Sequence, residues 1–227
     1  LNNRQTAGMG IKQIFVHTFR SVKKSFTDSR IRELIVQSMG FEGVFEVTKD
    51  YLQPILKAQA LVIAALLLLP EKESTAVVVG AVYFILHIVS AMTSKRAHLF
   101  AGFFTSEKKS IAVMILAGSC LAFVSSAGMH LKLFIISIAA YIAYYILQNL
   151  WRPILVAQYD DLAESSEQAT ILSIEAQAKT VGIAVIAPAA GYIADNHGIE
   201  SSLLLLAIIM MALWIYSISG KKRKTCN

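Results

Sequence analysis

The chain has 227 residues, of which 56% are hydrophobic and only 16% charged, with a mean hydropathy of +0.57 and a formal net charge of +6. Soluble domains carry about 25% charged residues, so too little charge is left here to wet a globular surface, and the chain is expected to be membrane-embedded. Its two cysteines, Cys120 in an apolar run and Cys226 in the tail, lack metal-ligand spacing, which leaves disulfide and zinc frameworks unsupported.

Residues 1–30 open on a polar stretch, LNNRQ, with neither an initiator Met nor a signal-peptide pattern. They read as a cytoplasmic linker in a piece of a longer chain. Within them, residues 11–26 (IKQIFVHTFRSVKKSF) place Ile11, Ile14, Phe15, Phe19, Val22 and Phe26 at helical spacing, with Lys12, Arg20, Lys23 and Lys24 elsewhere. This predicts an amphipathic helix lying on the inner membrane surface, in preference to a partner-binding or lipid-sensing helix.

A spanning helix needs about 20 mainly apolar residues. Six segments meet that need: Ile31–Leu56, Thr75–Ser94, Ser110–Met129, Leu131–Leu150, Ala169–Ala194 and Ser201–Gly220. Residues 59–70 (QALVIAALLLLP) are too short to span alone and read as an interfacial or re-entrant insertion. A competing parse makes Leu52–Pro70 the span. Before the fifth span, Ser165 and Gln168 fit a capping box. The acidic run Asp160, Asp161, Glu164 and Glu167 suits a solvated loop better than a metal-binding diphosphate site. A basic tail, residues 221–227, closes the chain. The expected fold class is thus an all-α membrane protein with domains 1–30, 31–220 and 221–227.

Cytoplasmic loops carry the excess of Lys and Arg. With both ends inside, sixteen of the 21 basic residues fall on one face, Arg152 among them in the loop after the fourth span. The opposite loops hold only Lys57, Lys72 and Lys132, and Lys49 and Lys179 lie within spans. Membrane topology therefore accounts for the basic balance, and no nucleic-acid partner is expected.

The spans differ in polarity. The third and sixth contain no acidic or basic side chain, Cys120 aside, so each can face lipid all round. In the first (GFEGVFEVTKDYLQP, residues 40–54), Glu42, Glu46, Lys49 and Gln53 share one helical face, and Asp50 follows Glu46 by one turn. Tyr141, Tyr145, Gln148 and Arg152 repeat that spacing, with Tyr144 beside them. In the fifth, Glu175 and Lys179 form an i, i+4 pair with the acid first. Charges in membrane helices face a bundle interior or a hydrated cavity and mark substrate or ion pathways, so these three stripes are expected to converge on one cavity. Each has a plainer reading as well. Glu175 and Lys179 can neutralise each other, Lys49 and Asp50 can sit at the membrane boundary, and the tyrosines can be core aromatics. Glu42 and Glu46 repel unless a cation intervenes or one is protonated, which makes either a candidate proton carrier. His87 reads as a satisfied buried histidine. No hydrolase, metalloprotease, P-loop or dinucleotide motif is present, so no enzyme activity, cofactor or metal is expected.

Residues 151–199 resemble the region of helices ten to twelve in major facilitator superfamily transporters. Arg152-Pro153 is similar to that family's basic loop entry, and residues 169–173 (ATILS) to its A-T-x-L-S element. Pro188, Gly191, Asp195 and Gly198 are similar to the P-x-x-G-x-x-x-D-x-x-G that closes helix eleven, and residues 50–54 (DYLQP) to the end of helix seven. Gln168 stands where the family often has Arg, and SKRAHLFAGFF lacks the G-x-x-x-D-x-x-G of the loop between helices eight and nine. The resemblance implies the C-terminal six-helix half, helices seven to twelve, of a secondary transporter in the cell (inner) membrane. It implies a small-molecule substrate, the lipid bilayer and an N-terminal six-helix half on the same chain as partners. The rival expectation is a six-span scaffold or receptor subunit that does not transport.

Overall fold

A computed structural model describes residues 22–23, 26–67, 71–95, 107–163 and 167–222. Among them the chain forms six long helices and no strand. These are α1 (Ser29–Leu67), α2 (Glu71–Lys95), α3 (Glu107–His130), α4 (Phe134–Leu162), α5 (Gln168–His197) and α6 (Ile199–Lys222). Most of the amphipathic stretch 11–26, together with Ser165 and the end of the tail, lies outside the described residues. Four helices, α3 to α6, are long and apolar enough to cross a membrane. In α2 the apolar stretch is shorter, Val79–Thr93.

Two boundaries correct the sequence reading. Residues 59–67 are no separate insertion; they continue α1, which runs for 39 residues straight through Pro54. At about 1.5 Å per residue it is close to 58 Å long, so one helix contains the first parse and carries the competing one as far as Leu67. In α4 the helix continues past Leu150 to Leu162, through Pro153. Arg152 is therefore a mid-helix residue, not a loop residue. Proline removes one backbone donor, and a helix packed on its neighbours can absorb that loss. Loop turns are tight where they are described. Lys132 takes a positive φ of 60° between α3 and α4, and Gly198 alone separates α5 from α6 with φ 88° and ψ 160°. That second conformation is nearly glycine-only, and the Gly198 N–H donates to the Ala194 carbonyl at 3.0 Å.

The most charged helix is the centre of the bundle. α1 packs against each of the other five helices, most extensively against α5, and buries Phe41, Val44, Phe45, Leu52, Ile55 and Leu56. Its contact with α4 is aromatic: Phe41 stacks on Trp151 with ring centroids 4.0 Å apart. Phe41 and Phe45 both meet Tyr144 edge-on at 6.0 and 5.4 Å. Its contact with α5 is close because both sides are small. A Cβ on Gly182 would lie 2.7 Å from Met39 Cγ and 3.0 Å from the Met39 carbonyl oxygen. Small residues permit such backbone approach between membrane helices.

α3 does not face lipid all round, as its apolar sequence suggests; Ile111, Met114, Ile115 and Ala122 are fully buried. Serines explain part of this. Ser119 donates to the Ala207 carbonyl at 2.9 Å and Ser126 to the Glu200 carbonyl at 2.7 Å, both on α6, and Ser137 of α4 donates to the Ser125 carbonyl at 2.9 Å. Interhelical hydrogen bonds of this kind hold helices together where lipid supplies no hydrophobic drive. The outward surface is apolar: Phe84, Ile85 and Ile88 on α2, Val181 and Val185 on α5, and Ile208 and Ile215 on α6 are all exposed.

A candidate functional site in a buried charge network

Four charged side chains from three helices meet in one network. Arg152 of α4 donates through Nη1 to Glu42 of α1 at 3.2 Å and to Glu175 of α5 at 2.8 Å. Lys179 of α5 lies 3.2 Å from the other Glu42 oxygen. Ser38 of α1 donates its hydroxyl to Glu175. Both carboxylates are thus held by more than one donor, and the network is charge-balanced, with two acids against two bases.

Local sequence explains how the groups arrive. Ser38 and Glu42 stand one turn apart on α1, next to Gly43, and Glu175 and Lys179 stand one turn apart on α5, below Gly182. A Cβ on Gly43 would meet the Gly182 carbonyl carbon at 3.6 Å. The two short pairs are therefore carried to each other by the crossing of small residues. Arg152 adjoins Trp151, which is fully buried against Phe41, the residue before Glu42. One aromatic stack fixes the α1–α4 register, and the charges follow.

The network is asymmetric in exposure. The Glu42 and Glu175 side chains are 3% and 0% exposed, whereas those of Arg152 and Lys179 are 43% and 30% exposed. The acids form the floor and the bases the open side. Measured from the helix ends joined by the α4–α5 connection, Glu175, Arg152 and Lys179 lie about 10, 15 and 16 Å along their helices, at about 1.5 Å per residue.

Several expected contacts are replaced. Glu175 and Lys179 do not neutralise each other; each reaches across to another helix. Glu42 and Glu46 do not share a site, because Glu46 pairs with Lys49, three residues on, at the part-exposed edge of α1. Gln53 is exposed. Glu46, Lys49 and Gln53 therefore lie apart from the network. Of the four residues expected on one face of α1, only Glu42 meets a charged partner from another helix among the described residues. Tyr141 is fully buried, and Tyr145 packs edge-on against Phe45 at 5.1 Å. Gln148 is half-buried, its Oε1 without a partner among the described residues. The helix-eleven-like residues lie beyond the network on α5: Pro188 within the helix, then Gly191 and Asp195, and Gly198 at the turn. Glu167 occupies the N-cap of α5, and Ser165, the expected capping residue, lies outside the described residues. No group of three metal-ligating side chains occurs among the described residues.

Ser38 and Tyr159 were missed from sequence. Ser38 carried a signal, as it precedes Glu42 by one turn. Tyr159 lay beyond the expected helix end, although it continues the Arg152 face by two turns. It lies within electrostatic reach of Glu175, Arg152 and Glu42, and its buried hydroxyl has no partner among the described residues. In the same condition are Tyr141, Tyr144, Gln148, Trp151 and Gln158, every one of them on α4. Compared with known proteins, the chain matches no family profile and no curated protein.

Proposed function

We propose that the chain is one six-helix half of a secondary active transporter of the major facilitator type, and that the Glu42–Arg152–Glu175–Lys179 network belongs to its substrate and ion path. The observation that carries this reading is the depth of the network. An ionised side chain near the centre of a bilayer is costly, and proteins place one there at substrate or ion pathways. α4 and α5 are 29 and 30 residues long, so at about 1.5 Å per residue Arg152 and Lys179 lie about 6 and 5 Å from their helix midpoints and Glu175 about 11 Å, which sets both bases well inside an apolar core about 30 Å thick. Lysine and arginine stems cannot reach headgroups easily from there, so snorkelling is a poor account of their exposure.

In this reading both ends of the chain are cytoplasmic, and α1 and α4 line a central path. A second six-helix half covers the open side, where Arg152 and Lys179 are accessible. Substrate binds between the halves, and access alternates as one rocks against the other. Glu42, bridged by two bases that a ligand can draw away, is the candidate proton carrier. The test is uptake or efflux across an imposed pH gradient in cells expressing the full-length protein, screened over a panel of small solutes. Glu42→Gln and Glu175→Gln, at matched membrane abundance, should each abolish pH-driven movement. If both variants transport like the wild type, the network is outside the mechanism.

A further inference from the structure

The exposure pattern of the network bears on the charge of what it binds. A cationic ligand approaching from the open side meets Arg152 and Lys179 first, because the two acids behind them are only 3% and 0% exposed. To reach a carboxylate it must displace a base that already holds one. An anion meets no such barrier. Arg152 spends only Nη1 on the two acids, and its Nη2 and Nε have no acceptor among the described residues. Those two nitrogens form the flat fork that pairs with carboxylate or phosphate oxygens. Lys179 engages a single carboxylate oxygen and retains further N–H donors.

A second observation is independent of the charges. Of the six buried side-chain atoms without partners among the described residues, five can donate a hydrogen bond: the hydroxyls of Tyr141, Tyr144 and Tyr159, Trp151 Nε1 and Gln158 Nε2. All lie on α4, the helix that carries Arg152, and Trp151 is its immediate neighbour. Tyr159, fully buried, is within electrostatic reach of the network. Trp151 Nε1 and Gln158 Nε2 can only donate, and the Tyr159 hydroxyl can donate as well, so these three unpartnered atoms on α4 suit an acceptor-rich ligand.

We infer that the ligand of this site is an oxyanion, a small molecule bearing a carboxylate or phosphate, gripped by the free edge of Arg152 and by Lys179. This rests on the transporter reading and assigns the substrate class within it. Glu42 and Glu175 then serve to hold the two bases in place and to balance their charge while the site is empty of ligand.

The experiment is a binding titration on the full-length protein in lipid nanodiscs, read by thermal unfolding, with benzoate, inorganic phosphate and tetraethylammonium as probes. Arg152→Gln alone strands two buried acids and can fail to fold. The paired variant Arg152→Gln/Glu175→Gln removes one charge of each sign and leaves Glu42 with Lys179. Benzoate or phosphate should stabilise the wild type and tetraethylammonium should not, and the paired variant should bind the anion at least about tenfold more weakly, as expected for one lost charge-assisted hydrogen bond. Equal anion binding by wild type and paired variant would place the anion elsewhere and overturn the inference. So would a response to tetraethylammonium alone, or no response to either anion. Counterflow of the bound probe in proteoliposomes separates the two ideas: a cation that binds and moves refutes the anion assignment while sustaining transport, and an anion that binds without moving does the reverse.

Discussion

Replacing Arg152 with Gln tests whether the network is the electrostatic keystone of the bundle. The change removes the 2.8 Å contact to Glu175 and the 3.2 Å contact to Glu42. Breaking a buried ion pair by deleting one partner costs about 3–5 kcal/mol, because a charge is left buried and uncompensated. Here Glu42 keeps Lys179 and Glu175 keeps the Ser38 hydroxyl, so the low end applies, about 3 kcal/mol. The partial exposure of Arg152 does not reduce this figure much, since the cost falls on the acids, which are 3% and 0% exposed. In a chain of this size each kcal/mol moves the midpoint by roughly 2–4 °C, so the single variant should melt about 6–12 °C lower. Deleting a whole buried pair is often close to neutral, so Arg152→Gln/Glu175→Gln should recover most of the loss. The assay is unfolding in bicelles by heat, with steric trapping as the equilibrium check. A single variant within about 1 kcal/mol of wild type, or a paired variant worse than the single, would refute the claim that the acids depend on Arg152.

Other perturbations separate the remaining contributions. Glu46→Gln should change stability by less than about 1 kcal/mol, because its pair with Lys49 is part-exposed, and exposed pairs are worth little; a larger loss in the same unfolding assay would mean that this pair is coupled to the core. Gly182→Ala presses a methyl group against the Met39 backbone, so α1 and α5 should part slightly at a cost of about 1–3 kcal/mol. Disulfide trapping between cysteines engineered on those two helices should slow accordingly. Phe41→Ala should cost about 3–5 kcal/mol through loss of the packed ring, and a double-mutant cycle with Trp151→Ala should return a coupling of about 0.5–1.5 kcal/mol for the stack. Gly198→Ala forces a Cβ into a conformation reserved for glycine, so unfolding should show a loss of about 1–3 kcal/mol; an unaffected variant would show that the α5–α6 turn relaxes freely.

Much of the helical architecture was legible from the chain alone. Runs of about 20 apolar residues announce helices wherever they occur, because an isolated span must satisfy its own backbone. The polar stripes were equally visible, since i, i+4 spacing puts side chains on one face whatever surrounds them. That is why Glu42, Arg152, Glu175 and Lys179 were all singled out before any contact was known. Helix ends were harder to read. Pro153 and the charges after it look like a loop in sequence, yet α4 carries on to Leu162 because packing against α1 and α2 supports its broken hydrogen bond. Tyr159 was lost from view for the same reason.

Partner choice was decided only by the tertiary structure. Along α5, Lys179 is the natural mate of Glu175, and along α1 the neighbour of Glu42 is Glu46. Both local pairings give way because Gly43 and Gly182 let two backbones nearly touch, and because the Phe41–Trp151 stack brings Arg152 between the acids. Helical periodicity is a property of a few consecutive residues, so a sequence displays it. The register between helices depends on shape matching among residues more than a hundred positions apart, and no short stretch contains that information. The chain by itself determined which groups are charged and on which faces they stand; packing determined which acid meets which base, and that the bases are the ones left facing outward.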